Sequence, residues 1–255
     1  MIVDLNILYL ISYKMSSLLK NMENKTILKR YQDINAYGFS ERLKTRVLRK
    51  IEEILSRFKR LDLTDTIYTS VKELIINATK ANVKRIVFAD HNLDIDNNDD
   101  WDKGTAIFRQ KLLACKLNEF SNKTKSLNYK VKIRYIYNRN GMRVEVINNT
   151  PIPKIDEKRL RGKLESAMKY RSIADFYMDN ADNIEGVGMG LALIIILLKN
   201  QGLDPDLLRI GSEDEQTVAR LEIPFNDHYI PYREIKFREK LEKEKKDLDI
   251  SYEFK

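Results

Sequence analysis

The stretch that most constrains this chain is Glu185-Gly186-Val187-Gly188-Met189-Gly190-Leu191-Ala192-Leu193, where alternate glycines open directly into the apolar run 191–198. Glycine tolerates positive φ and lets a ligand approach the backbone closely, and the unpaired amides that begin a helix attract an anion, so the pattern suits a phosphate. Gly202, after Lys199-Asn200-Gln201, predicts the helix stop. The spacing departs from G-x-G-x-x-G, because Leu191 stands where the third glycine would be, and no G-x-x-x-x-G-K-[ST] occurs. Dinucleotide-binding and P-loop readings are therefore disfavoured. In isolation the same glycines also suit a tight helix start with no ligand.

Composition narrows the class. The 255 residues are 43% apolar and 33% charged with only five prolines, which predicts a helix-rich globular chain with a real core. A net charge of +8 arises from 46 basic and 38 acidic residues, intermixed along the chain. That pattern is a solvated surface, and with no zinc-finger spacing and no aromatic-basic strand motif, nucleic acid is not the expected partner. Cys115 is the only cysteine, which excludes an intramolecular disulfide and fits a reducing, cytoplasmic setting. The apolar start, residues 1–11, is broken by Asp4 and Asn6 and is too short to span a bilayer. It reads as a docking helix over 1–21, and Met22 offers an alternative translation start.

Further along, Leu43, Val47, Leu48, Ile51, Ile54, Leu55 and Phe58 recur at helical spacing behind Ser40, which suits an N-cap. This amphipathic stripe is expected to pair with a partner helix, in a second copy or in residues 1–21 of its own chain. The next helix, from Asp62 or Thr64 to about Asn82, carries Ile67, Val71, Leu74, Ile75 and Ala78 inward. Glu73, Asn77 and Lys80, spaced by four and three, share another face. Such a trio is ordinarily a solvated face, yet Asn77 is a poor helix former with no structural task in mid-helix.

Residues 84–89 read as a strand, 91–102 as an acidic loop and 105–120 as a helix. Residues 129–137 and 142–147 form a hairpin expected to turn at Asn140-Gly141 in the type I′ geometry. Asn148-Asn149-Thr150-Pro151-Ile152-Pro153 ends the sheet. Polar helical sequence over 156–177 leads to the glycine turn. Strands follow at 207–211 and 217–223, then a charged helical tail from Tyr232, expected to be a peripheral appendage.

The order of these motifs resembles the histidine kinase-like (GHKL, Bergerat-fold) ATPases, above all the catalytic ATP-binding domain of sensor histidine kinases. Glu73-x-x-x-Asn77-Ala78-x-Lys80 matches the family's N box, Asn148-Asn149-x-Pro151 its G1 box, and Gly186-x-Gly188-x-Gly190-Leu191 its G2 box. The resemblance implies an α+β fold, a two-layer α/β sandwich. It divides the chain into an N-terminal helical region (1–61) expected to dimerise, the ATP-binding domain (62–226) and a charged helical tail (227–255). It also implies that ATP and Mg2+ bind. Asn77 would ligate the metal, Glu73 would polarise the attacking group, and Lys80 and the amides around Gly186, Gly188, Gly190 and Leu191 would hold phosphates. Asn148 would meet the base.

Two departures shape the expected function. Asn148 replaces the family's aspartate, and its carbonyl can accept a hydrogen bond without charge. The helix over 40–60 carries no histidine, while His91 and His228 lie outside any phosphoacceptor position and read as exposed bystanders. The expectation is therefore an Mg2+-dependent ATPase or kinase acting on a separate partner protein in signalling, as a homodimer through its N-terminal helices. The alternative is a non-catalytic regulatory scaffold with a degenerate nucleotide site. The segment 156–185, basic at Arg159, Arg161, Lys163, Lys169 and Arg171, is expected to act as a lid.

Overall fold

A computed structural model describes residues 30–114, 117–179 and 189–253. They form an α+β fold around one five-stranded antiparallel sheet in the order β1-β2-β3-β5-β4, with β1 Arg30–Ala36, β2 Val131–Asn138, β3 Gly141–Asn148, β4 Leu208–Glu213 and β5 Gln216–Pro224. The helices are α1 Glu41–Arg57, α2 Thr64–Asp90, α3 Asn98–Ala114, α4 Ser121–Ser126, α5 Lys154–Met168, α6 Ile173–Asp179, α7 Met189–Asn200 and α8 Tyr232–Glu253.

Alternation builds the sheet's two faces. Val131, Ile133, Tyr135 and Tyr137 on β2, Met142, Val144 and Val146 on β3, and Ala219, Leu221 and Ile223 on β5 enter the main core. There they meet Ile67, Val71, Leu74 and Ile75 of α2 and Leu191, Ile194, Ile195 and Leu198 of α7. The opposite face is charged. Register aligns Asp33 with Arg134, Arg134 with Glu145, and Glu145 with Arg220, so opposite charges alternate across four strands. Tyr232, at the start of α8, lies over the Arg143 and Arg220 guanidinium groups at 4.1 and 4.0 Å. Its amide, 2.7 Å from Glu222 Oε2, fixes the first turn of the helix. The tail is thus anchored at its first residue, more than an appendage.

Several expectations are corrected. Residues 84–89 continue helix α2 rather than forming a strand: Val83 and Val87 keep the helical spacing and pack with Phe108 of α3. The acidic loop is shorter than expected, because α3 begins at Asn98. Gly104 admits the Phe88 ring so closely that a Cβ there would lie 2.4 Å from it. Residues 154–179 divide into α5 and α6. Strand β1 was not anticipated, since Ile34 is its one buried apolar side chain among those described.

The hairpin forms, but with Arg139 and Asn140 in the turn. Asn138 Oδ1 accepts from the amides of Asn140 and Gly141, and neither Arg139 nor Asn140 has positive φ. Gly141 opens β3 instead, where a Cβ would strike the Tyr229 ring at 2.2 Å. The mirror-image turn lies between β4 and β5, at Asp214 and Glu215 with φ of 48° and 58°.

The N-terminal stripe changes its role. Ser40 caps α1 as expected, its side chain accepting from the Leu43 amide. Leu43, Val47, Ile51, Ile54 and Leu55, however, are buried in the chain's own core with the sheet and α2, so they are not free to face a second copy. The docking helix expected over 1–21 lies outside the described residues. No helix among the described residues is long and apolar enough to cross a membrane.

Candidate functional site

A cavity of about 1110 Å3 opens between α2, α3, α5 and the ends of β3 and β5. Its wall along α2 follows one helical stripe, Asn77, Lys80, Ala81 and Lys84, because residues three and four apart share a face. Leu74, Val146, Leu191 and Ala219 supply apolar floor.

Beside the lining residues Asn77 and Leu191, just outside the cavity wall, two distant motifs converge. An added Cβ at Gly190 would stand 2.7 Å from Glu73 Oε2 and 3.6 Å from Asn77 Nδ2, so the first turn of α7 abuts the Glu73-Asn77 face. Lys72 Nζ is 3.8 Å from Glu73 Oε1, and the Glu73 side chain is mostly shielded from solvent. Helix α7 ends where expected, at Asn200, with Gly202 at φ +68° and the Leu203 amide returning to the Leu198 carbonyl. Gly186 and Gly188 lie outside the described residues.

Asn148 stands at the other side of the floor and is 2% exposed. Its Nδ2 donates to the Ala78 carbonyl at 3.0 Å and to Asn82 Oδ1 at 3.2 Å. Since the Ala78 carbonyl only accepts, the amide's orientation is set, and the Asn148 Oδ1 is left buried without a partner among the described residues. An orphan acceptor on a residue lining a cavity suits a ligand with an N–H donor, such as the amino group of a purine.

The strap after Asn148 is held without the glycines of the resembled motif. Asn149 Oδ1 accepts from the Lys130 amide, and its Nδ2 donates to the Asn128 carbonyl. The Thr150 carbonyl accepts from both the amide and the hydroxyl of Thr217 at 2.8 Å. Arg85 donates to the Pro151 carbonyl, and the Ile152 amide donates to Ser212 Oγ at 3.0 Å. Side chains from α2, β4 and β5 thus do what backbone turns do elsewhere.

The cavity's far end is cationic, which the α2 trio alone does not suggest. Lys84 Nζ lies 2.7 Å from Asp156 Oδ1, which also accepts from Trp101 Nε1 at 2.9 Å. The Lys84 ammonium and the Arg159 guanidinium both sit on the Trp101 ring, at 4.3 and 3.7 Å from its centroid. Burial holds the Lys84 pKa below the ordinary lysine value although Asp156 opposes it. The same effect lowers Lys163. The sequence pattern assigns Trp101 to the acidic loop, and only its contact with Asp156, 55 residues away in sequence, reveals its place.

Among the described residues, no cluster of three or more His, Cys, Asp or Glu side chains is set to hold an ion. Asn77 turns its Nδ2 toward Gly190, and its Oδ1 is the one oxygen it could offer an ion. A single protein oxygen fits Mg2+, which keeps waters and takes its remaining ligands from phosphates.

No family model matches the chain. Over 156 residues, 61% of its length, it is 31% identical to an uncharacterized protein of Treponema pallidum (strain Nichols). The match covers 30% of that relative, so the chain spans less than a third of its length. Among solved structures, a chain of the SiaB-SiaC complex from Pseudomonas aeruginosa aligns with 84% of this chain and 99% of its own, at TM-score 0.42 and 11% identity. A likeness of that size carries no argument about fold or function.

Proposed function

We propose that the chain is a Bergerat-type nucleotide-binding module that takes ATP with Mg2+ in this cavity and acts, as an ATPase or kinase, on a separate protein partner. The observation that carries the reading is the convergence of Glu73 and Asn77, from mid-α2, on Gly190 at the start of α7. These segments are more than a hundred residues apart, and no packing requirement of an ordinary core brings a carboxylate and an amide against a glycine at a helix start.

In this reading the base lies near Asn148, whose orphan oxygen accepts a hydrogen bond from its amino group, against the apolar floor of Leu74, Val146 and Leu191. The phosphates lie toward Gly190, where the start of α7 offers the positive end of its dipole and Lys80 a charge. Mg2+, bound by Asn77 and the phosphates, would supply charge neutralisation for phosphoryl transfer. Glu73 stands beside Asn77 to orient an attacking hydroxyl or water and to accept its proton.

A second reading, a regulatory scaffold that binds nucleotide without turnover, is favoured by one feature: Lys72 beside Glu73 draws on the carboxylate that the transfer step needs. Calorimetric titration with Mg-ATP, paired with a turnover assay with and without partner, tests both. Binding abolished in Asn77→Ala, with circular dichroism unchanged, is expected. Absence of binding at millimolar nucleotide overturns the proposal, whereas binding without turnover under any partner condition leaves the scaffold.

A further inference from the structure

The nucleotide reading does not use the cationic far end of the cavity. Lys84 stands three turns beyond Glu73 on the same face of α2, roughly 16 Å along the axis. The bonds of Asn148 to Ala78 and Asn82 fall between the two, so the base position separates this end from the phosphates. Lys163 lines the same cavity as Lys84, Arg109 and Arg159, with Asp156 and the exposed Glu119 as the carboxylates of that lining. The Asp156 carboxylate is already committed to Lys84 and Trp101. Arg159 has only a 4.0 Å approach to Asp102, and Arg109 and Lys163 have no hydrogen-bond or ion-pair partner among the described residues.

Like charges gathered at a cavity wall repel one another and cost free energy that an ordinary surface avoids by dispersing them. Here α2, α3 and α5 each contribute to the gathering, with a buried tryptophan as its platform. A bound anion removes the repulsion, and the guanidinium groups supply the paired donors that oxyanions accept. We propose that this end of the cavity is an oxyanion subsite for a small molecule bearing a phosphate or carboxylate group, distinct from the Glu73-Asn77-Gly190 end. The proposal rests on the nucleotide reading only in assigning the triphosphate to that other end. An effector held here sits beside the base position, against α5, and is placed to regulate occupancy of the nucleotide end.

Trp101 is the chain's only tryptophan, so its emission reports directly on the cluster. The full chain is titrated with inorganic phosphate and, separately, with citrate, against sodium chloride at matched ionic strength. A saturable change with at least one oxyanion and none with chloride is expected. Phosphate preferred over citrate identifies a phosphate-bearing ligand, and the reverse a carboxylate. The midpoint rises about tenfold in Lys163→Met and in Arg109→Gln, the loss of one charged hydrogen bond, and is unchanged in Asn77→Ala. Arg109 is exposed, so its replacement leaves the fold intact.

No saturable change with either anion overturns the subsite, as does a change that both variants leave unaltered or that only Asn77→Ala shifts. ATP binding seen by calorimetry without an oxyanion response sinks the subsite and spares the nucleotide reading. An oxyanion response in a chain that binds no ATP does the opposite.

Discussion

The carboxylate of Glu73 and the α-carbon of Gly190 are so close that a methyl group on the glycine would lie 2.7 Å from Oε2. The obstacle is the end of a flexible side chain, so Gly190→Ala is accommodated by moving Glu73. Alanine is also the better helix former, by up to about 1 kcal/mol. The variant is expected to melt at or slightly above the wild-type temperature while losing Mg-ATP turnover, or affinity where there is no turnover, by about tenfold. Paired calorimetric melts and titrations check this. A variant with both properties unchanged would show that Glu73 has no role at that end.

Asn148→Asp would restore the residue typical of the resembled motif, and the geometry predicts that it weakens the protein. The asparagine donates to the Ala78 carbonyl and to Asn82 Oδ1, and a carboxylate can donate to neither. Asn82 can turn its amide to relieve one contact, but the Ala78 carbonyl cannot change. A buried carboxylate facing that carbonyl costs about 2 kcal/mol or more. Urea unfolding should show this loss, with Asn148→Ala less harmful because it brings no charge.

The parts of the fold legible in the sequence are those whose pattern is local. The β2–β3 strands alternate, α1 carries its stripe and its Ser40 cap, and Gly202 stops α7 through its own backbone. The misreadings come from interactions distant in sequence. Ile86-Val87-Phe88 has strand propensity, but Phe108 and the opening at Gly104 keep the segment helical. Strand β1 is specified by its pairing with β2, not by its own side chains. Of the residues lining the cavity, Asn77, Lys80, Asn148 and Leu191 could be named from motifs, whereas Trp101, Asp156 and Lys163 become neighbours only when α3 and α5 fold over the end of α2.

Helix α1 belongs to the core, and cutting it away should be ruinous. Ile51, Ile54 and Leu55 are fully buried against the sheet and α2. A chain beginning at Thr64 exposes that surface and is expected to aggregate instead of behaving as an independent domain. Ile51→Ala in the full chain should lower stability by about 2–5 kcal/mol without changing the sedimentation coefficient of the folded protein. A soluble, folded chain from Thr64 would contradict this account of the core.

The Lys84–Asp156 pair gives a stability effect with a defined pH signature. Its side chains are 11% and 27% exposed, and the ammonium lies 2.7 Å from Oδ1. Asp156→Asn keeps a carbonyl for the Trp101 N–H but leaves a buried cation unpaired, at a cost near neutral pH of about 3 kcal/mol. Burial lowers the Lys84 pKa below 10.5, with Asp156 the main opposing influence, so the substitution lowers it further. A lysine with a depressed folded pKa binds fewer protons folded than unfolded across that window, so stability gains as pH rises through it. The window is wider in the variant, which therefore recovers more. Measured by urea unfolding, the gap between wild type and Asp156→Asn should be largest near pH 7, narrow as Lys84 deprotonates, and close by about pH 10.5. A gap that stays constant across this range would mean that the loss is one of packing around Trp101, with the charge of Lys84 playing no part.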